Sequence, residues 1–224
     1  MSIAPQLSQS RLRIAIFGSY YRGFHVLHEC LFGPLAKRIE IVGVATDAPE
    51  QTFISRQKRV WQYPHTSEEA SMVRNLASRE SIQVFDGRVK DQAFHELFKH
   101  TWRPDLCIMA TFGQLIDMPL FSYPPQGFYN LHPYDGKKWP SKYAGANPFA
   151  TMIRDCLPTC VIGMHHVDST FDTGALVRTS EIVAIPPSVS VTDMHKITSP
   201  IAALMVRYEI ERILNSCSSS EHLS

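Results

Sequence analysis

Short apolar runs alternate with amphipathic segments along most of the chain. Continuous apolar runs bounded by turn residues are typical of buried strands. Strands are predicted over residues 11–17, 39–46, 82–85, 106–110, 127–130, 159–167 and 175–183. Apolar residues at helical spacing predict helices over residues 24–35, 67–78, 93–100, 147–155 and 191–214. Strands that alternate with helices and are apolar on both faces predict an α/β fold, with a mostly parallel sheet and helices on both of its faces.

The pattern predicts one domain rather than two. No repeat or internal linker interrupts residues 11–215, and 224 residues suffice for one sizeable core. A C-terminal helix over 191–214 completes this domain, and it either covers the sheet or forms a homodimer interface. The polar ends predict a flexible N-terminus over 1–10 and a disordered tail over 216–224.

Composition narrows the class of protein. The formal net charge is only +1. Proteins that bind phosphate backbones usually carry an excess of basic residues, so no nucleic-acid partner is expected. No apolar run reaches the length of a membrane span, and the first ten residues lack the pattern of a signal peptide. We therefore expect a cytoplasmic protein without a membrane partner.

Neither cysteine nor histidine spacing predicts a metal site. The five Cys include no CxxC pair, which favours reduced thiols in a reducing compartment. His165 and His166 precede Asp168, but adjacent residues of a strand point to opposite faces and cannot easily bind one ion. We expect no metal.

An amide, an imidazole and a carboxylate stand in an order that can form one site. Asn130 and His132 lie two apart at the end of a predicted strand and so share a face. Asp172 lies in a predicted turn, followed by Thr173 and Gly174. In parallel sheets the ligand crevice lies at the carboxyl ends of the strands. These groups suit attack of an amine on a carbonyl carbon, with donors for the oxyanion and a carboxylate to accept a proton.

These residues belong to longer motifs that resemble one family. The motifs are Thr111-Phe112-Gly113-Gln114-Leu115-Ile116, Asn130-Leu131-His132-Pro133, Tyr143-Ala144-Gly145-Ala146-Asn147-Pro148, and the run from His165 to Ala175. Together and in this order they resemble the formyltransferases that use 10-formyltetrahydrofolate. The resemblance covers roughly residues 12–183 and is strongest over 104–175. It implies a Rossmann-like sheet of the formyltransferase type and direct transfer of a formyl group from the folate to an amine.

The resemblance also implies roles for residues. Asn130 would polarise the formyl oxygen and hold the oxyanion, His132 would donate to it and assist proton transfer, and Asp172 would anchor a water or the imidazole and take protons from the amine. His165 could support Asp172. The folate would contact a loop, through backbone groups of Gln114 and Ile116 in particular, and a turn opposite; these folate-binding residues are Phe112, Gly113, Gln114, Leu115, Ile116, Asp168 and Thr170.

The acceptor side departs from the family pattern. The loop after His132-Pro133 is longer than usual and adds Lys137 and Trp139, which could contact the acceptor or simply lie in a solvated loop. Tyr20 and Arg22 follow the first strand and are also candidates to bind the acceptor, the alternative being that they simply pack within the fold. Bulky Tyr residues replace the bare backbone that a phosphate loop needs, which argues against glycinamide ribotide.

Transfer RNA is not expected either, because the chain lacks the charge and ends before the C-terminal barrel of the tRNA enzymes. The expected acceptor is a small-metabolite amine, such as an amino sugar on a nucleotide or a hydroxyornithine. Two other classes stay open: a non-catalytic folate- or nucleotide-binding module and, more weakly, a nicotinamide enzyme, although the first turn lacks Gly-x-Gly-x-x-Gly.

Overall fold

The computed structural model of the chain describes residues 11–54 and 60–220. The strands are β1 Leu12–Gly18, β2 Ile39–Ala45, β3 Val84–Phe85, β4 Leu106–Ala110, β5 Phe128–Tyr134, β6 Thr159–His166, β7 Leu176–Thr179 and β8 Val183–Ala184. The helices are α1 Tyr20–Phe32, α2 Ser67–Arg79, α3 Gln92–Glu96, α4 Met118–Phe121, α5 Pro148–Arg154 and α6 Val191–Ser220. A π-helical segment, Leu97–Trp102, continues α3. The predicted N-terminus 1–10 lies outside the described residues.

One mixed sheet organises the domain, in the order β3-β2-β1-β4-β5-β6-β7, with β8 paired to β6. The five strands from β3 to β5 run parallel, whereas β6 and β7 are antiparallel to their neighbours. The prediction of a mostly parallel sheet is therefore confirmed, with an antiparallel edge.

The two faces of the sheet carry separate cores. Ile14 and Ile16 of β1 pack into a core shared with α1, α2 and α6. Phe17 points to the other face, where its ring meets Phe94 of α3 and Phe98 of the π-helical extension. The alternation along β1 thus places helices on both sides, as predicted.

Several element boundaries differ from the prediction. Helix α1 begins at Tyr20, four residues early, because Gly18 and Gly23 let the helix pack directly on the end of β1. A Cβ on Gly23 would lie 2.6 Å from the backbone of Gly18. Helix α6 continues through Pro200 to Ser220, so the first residues of the predicted tail are helical. In the described part of the chain, no helix combines the length and the apolarity needed to cross a membrane.

Candidate active site

Neighbouring strands bring Asn130, His132 and His165 together. Asn130 and His132 are two apart on β5, so both side chains point to the same face. Strand β6 pairs antiparallel with β5, and the register sets His165 directly opposite Asn130. All three side chains are buried.

Asp172 reaches this group from the turn after β6. Its φ of +54° is left-handed, which is uncommon for a residue other than glycine and marks a constrained turn. Gly174 allows the turn to fold back, because a Cβ there would lie 1.9 Å from the carbonyl oxygen of His166. The predicted convergence of Asp172 with the two β5 residues is what the structure shows.

The Asp172 carboxylate is the centre of the site. Its Oδ1 accepts a hydrogen bond from Asn130 Nδ2 at 2.7 Å and lies 3.3 Å from His132 Nδ1 and 3.4 Å from His165 Nε2. Its Oδ2 accepts from the backbone N–H of Gly145 at 2.8 Å. Burial raises the pKa of Asp172, but its His132, His165 and Gly145 neighbours outweigh burial and leave that pKa below its usual value. The carboxylate is therefore ionised at neutral pH.

His132 is placed to accept one proton. Its Nε2 lies 3.0 Å from the carbonyl oxygen of Tyr143, which only accepts, so Nε2 carries a hydrogen. Burial lowers the pKa of His132, and Asp172 only partly offsets this effect. In the neutral imidazole, Nδ1 then offers a lone pair beside Asp172 Oδ1. No hydrogen lies between His132 Nδ1 and Asp172 Oδ1 in this state. When Nδ1 takes up a proton, His132 becomes a cation and forms an ion pair with Asp172.

The Asn130 amide makes hydrogen bonds that its expected role at the formyl oxygen does not include. Its Nδ2 lies 3.1 Å from His165 Nε2 in addition to its bond with Asp172, so both amide hydrogens have partners. His165 Nδ1 lies 2.8 Å from the carbonyl oxygen of His166 and donates to it, which leaves Nε2 as the acceptor for Asn130. For Asn130 to donate to a formyl oxygen, one of these two bonds has to open.

Two cavities meet at Asn130 and Asp172. The main cavity has a volume of about 160 Å³, and its lining includes Arg22, Thr111, Asn130, His132, Phe171, Asp172 and His195. The second cavity, of about 10 Å³, is lined by Gln114, Leu115, Ile116, Thr170, Phe171 and others, again with Asn130 and Asp172. The polar centre therefore faces a separate space on each side.

The loop over 112–116 is held by side chains and by one backbone bond at Gly113, which leaves the backbone of residues 114–116 free. Asp47 Oδ2 accepts from the Gly113 N–H at 2.7 Å. The Gln114 side chain binds the backbone of Val89 and Gly87, both at 3.0 Å. Among the described residues, the backbone groups of Gln114, Leu115 and Ile116 make no hydrogen bond.

Such a row of free donors and acceptors, with apolar neighbours, fits the polar edge of a pteridine. A cavity of about 10 Å³ holds little more than one water. A pteridine is larger, so binding one there would require the loop and the turn to separate.

The turn over 168–172 is organised by its own side chains. Asp168 Oδ1 accepts from the Thr170 N–H at 3.0 Å and from the hydroxyls of Thr170 and Thr173. Asp168 therefore shapes the turn, while Thr170 borders the second cavity.

Of the four residues predicted to bind the acceptor, the structure places only Arg22 in the lining of the main cavity. Tyr20 is buried against Trp61 and His195. Lys137 is exposed in its loop. Trp139 packs on His165, and its Nε1 donates to the Gly174 carbonyl at 2.8 Å, so it supports the Asp172 turn instead.

Sequence reasoning missed three residues of this region. Thr111 and His195 line the main cavity, and Asp47 holds the loop through Gly113. Thr111 follows the end of β4, and Asp47 follows the end of β2. Their positions at carboxyl strand ends were the available signal. His195 had no such signal, because it lies within the long helix α6.

Comparison with solved structures shows the same fold. Glycinamide ribonucleotide transformylase 1 from Symbiobacterium toebii superposes with a TM-score of 0.66 at 15% identity, covering 93% of this chain and 91% of that one. A formyltetrahydrofolate deformylase from Pseudomonas syringae gives a TM-score of 0.65 at 15% identity, covering 92% of this chain and 62% of that one.

Curated relatives are similar in sequence over part of their length. Methionyl-tRNA formyltransferase of Syntrophomonas wolfei is 23% identical over 181 residues, which are 80% of this chain and 52% of that protein. The same enzyme of Syntrophus aciditrophicus is 33% identical over 116 residues, 51% of this chain and 35% of that protein. The chain thus spans about half or less of the length of these relatives.

The family described as Formyl transferase matches residues 38–207, well over half of the chain. This range contains Asn130, His132, His165 and Asp172. The family resemblance drawn from the motifs is therefore confirmed, and the chain belongs to the formyl transferase family.

Proposed function

We propose that the protein transfers the formyl group of 10-formyltetrahydrofolate to a primary or hydroxylated amine of a small metabolite. The observation that carries this proposal is the Asp172 carboxylate, which lies within 3.4 Å of Asn130, His132 and His165 at the junction of two cavities. The second cavity, lined by residues 114–116 of the loop, would take the folate, although Phe112 and Gly113 line the main cavity. The main cavity would take the acceptor.

The reaction needs no covalent enzyme intermediate. The amine nitrogen attacks the formyl carbon, the new C–N bond forms, and the formyl oxygen becomes an oxyanion. The attacking nitrogen gives up a proton, which the His132–Asp172 pair accepts. The bond from the carbon to N10 then breaks, N10 takes a proton, and the products are the N-formyl amine and tetrahydrofolate. Asn130 stabilises the oxyanion once one of its two amide bonds has opened.

The acceptor class rests on the charge and size of the site. The main cavity admits a small group, and the formal net charge of +1 gives no general attraction for a nucleic acid. An amino sugar on a nucleotide or an amino-acid-derived amine such as a hydroxyornithine meets these conditions. The non-catalytic binding module is less well supported, because a sensor would have little need for a buried proton-accepting pair.

The test is release of tetrahydrofolate from 10-formyltetrahydrofolate in the presence of a panel of such amines. We expect Asp172→Asn to lower the rate by about a hundredfold to a thousandfold, the effect typical of losing one group that stabilises the transition state. Glu181→Gln, the matched change at an exposed carboxylate, should leave the rate unchanged. Folate binding measured by calorimetry, with no formyl transfer to any amine, would favour the binding module.

A further inference from the structure

In the part of the chain that the structure describes, Arg22 is a buried cation without a counterion. It lies in the first turn of α1 with a relative exposure of 2%, and its guanidinium lines the main cavity. Within residues 11–54 and 60–220 its hydrogen bonds are to two hydroxyls, Thr111 Oγ1 at 3.3 Å and Thr198 Oγ1 at 3.2 Å. Its buried Nε has no partner in the same part of the chain. Among the described residues, no carboxylate lies within ion-pair distance of Arg22. Burying such a charge unpaired is costly.

Neutral side chains pack against Arg22, and although the ionised Asp172 lines the same cavity, it forms no ion pair with Arg22 in the described part of the chain. His195 also lines the main cavity, and its buried Nδ1 has no partner. The Phe149 ring packs against both side chains. Burial lowers the pKa of Arg22 to about 10 and raises that of Cys160 to about 11, so the guanidinium stays charged and the nearby thiol stays neutral.

The position of Arg22 relative to the reacting groups is informative. It faces the main cavity together with His132 and Asp172, but it does not line the second cavity. A ligand group held there would therefore belong to the molecule in the main cavity.

We propose that the acceptor amine carries an oxyanion, either a phosphate or a carboxylate, which binds the Arg22 guanidinium and the free Nδ1 of His195. This inference rests on the proposed function, because it takes the acceptor to be the occupant of the main cavity. A guanidinium binds both kinds of oxyanion through paired N–H groups. The oxyanion supplies the charge that Arg22 lacks, so neutral amines of the same size should be poor acceptors.

The first test measures binding without turnover. Inorganic phosphate and acetate are titrated separately into the wild type, Arg22→Met and the exposed control Arg154→Met, with calorimetry as the readout. We expect Arg22→Met to weaken binding of at least one anion by about tenfold to a hundredfold, in line with loss of a charge-assisted hydrogen bond, and the control to match the wild type. The anion that responds identifies phosphate or carboxylate. Equal binding of both anions by the wild type and Arg22→Met would overturn the inference.

Stability separates an anion site from a purely structural arginine. Without added anion, Arg22→Met should have a thermal midpoint equal to or above that of the wild type, because it removes an uncompensated buried charge. A structural Arg22 predicts a lower midpoint. If Arg22→Met does not fold, Arg22→Lys keeps the charge without the paired donors, and it should still weaken anion binding by several-fold.

The second test uses matched acceptors, an amino acid against its amide and an amino-sugar phosphate against the free amino sugar. The anionic member of one pair should have a KM at least tenfold lower for the wild type, and this preference should vanish in Arg22→Met. Equal KM values within both pairs would overturn the inference while leaving formyl transfer intact. Anion binding that depends on Arg22, with no formyl transfer to any amine, would instead reject the proposed function and leave the anion site standing.

Discussion

Asn130 Nδ2 lies 2.7 Å from Asp172 Oδ1, although 42 residues separate the two in the sequence. The bond links a strand to a strained turn, and together with the Gly145 N–H it gives the carboxylate two hydrogen-bond donors. Both amide hydrogens of Asn130 are bonded within this network, so neither is available to a ligand in the resting site. The proposed formyl transfer would therefore include a rearrangement of the amide, and His165 is the partner that can be released without losing the Asp172 bond.

His165 should act as a positioning residue. His165→Ala removes the acceptor at 3.1 Å from Asn130 and leaves one amide hydrogen without a fixed direction. We expect kcat to fall by about tenfold, the usual effect of one lost hydrogen bond to a functional group, with KM for the folate little changed. His165→Gln should restore part of kcat. The neighbouring His166 has an exposed side chain, so His166→Ala is the matched control. Equal effects of the two alanine variants would show that His165 has no special role.

The pH dependence of kcat should report His132. Burial lowers its pKa below the ordinary 6.5, so the neutral imidazole prevails at neutral pH. As the pH falls through this lowered pKa, His132 takes up the proton that the amine should deliver, and kcat falls. A profile at saturating substrates should therefore have its acid midpoint below 6.5. The profile should be measured with two acceptors whose amines have different pKa values. A midpoint set by His132 stays at the same pH for both acceptors, whereas a midpoint set by the amine shifts with the amine pKa. A limb that always follows the acceptor would contradict the role of His132.

Asp47 should make the fold less stable as the pH rises. Burial raises its pKa to about 6, whereas hydrogen bonds from Gly113 and Ser19 only partly offset this effect. The folded state then binds the proton more tightly than the unfolded state. Stability contributed by this group is present below about pH 4 and is lost as the pH rises to about 6, by roughly 3 kcal/mol.

Asp47→Asn keeps an acceptor for the Gly113 N–H and removes the charge. Urea unfolding at pH 4.5 and 7.5 should show the variant gaining stability relative to the wild type at the higher pH. Asp47→Ala leaves Gly113 without its partner and should be less stable than Asp47→Asn at both values. If the difference in the free energy of unfolding between the wild type and Asp47→Asn is the same at both pH values, the raised pKa of Asp47 is refuted.

Trp139 and Lys137 should differ in their effects, although both were predicted to bind the acceptor. Trp139→Phe keeps the ring against His165 but loses the 2.8 Å bond to Gly174, which supports the Asp172 turn. We expect kcat to fall about fivefold, as for a single hydrogen bond, with KM for the acceptor unchanged. Lys137→Ala should change neither constant. A tenfold rise in the acceptor KM for Lys137→Ala would restore the original prediction.

Much of the fold follows from local patterns. The apolar strands were predictable because both of their faces are buried. Helix α2 was predicted to begin with Ser67 as its cap, whereas Thr66 is the N-cap and forms a capping box with Glu69. The start of α1 was missed because it depends on the contact between Gly18 and Gly23, which a single-sequence period does not show. The far end of α6 was missed because its final Ser residues have low intrinsic helix propensity.

The site was predictable where chemistry and spacing coincide. Asn130 and His132 share a strand face, and Asp172 stands before Thr173-Gly174, so residue types alone indicated their meeting. Tertiary packing decides which groups the indole of Trp139 contacts. It also decides where His195 points. Neither could be read from the chain.

The central claim is that the Asp172 centre moves a formyl group from folate to an amine. Single-turnover release of tetrahydrofolate, with enzyme in excess over 10-formyltetrahydrofolate and a saturating anionic amine, tests it most directly. We predict rapid release by the wild type and by Glu181→Gln, and release slowed at least a hundredfold in Asp172→Asn with folate still bound. Equal rates for wild type and Asp172→Asn would contradict the account.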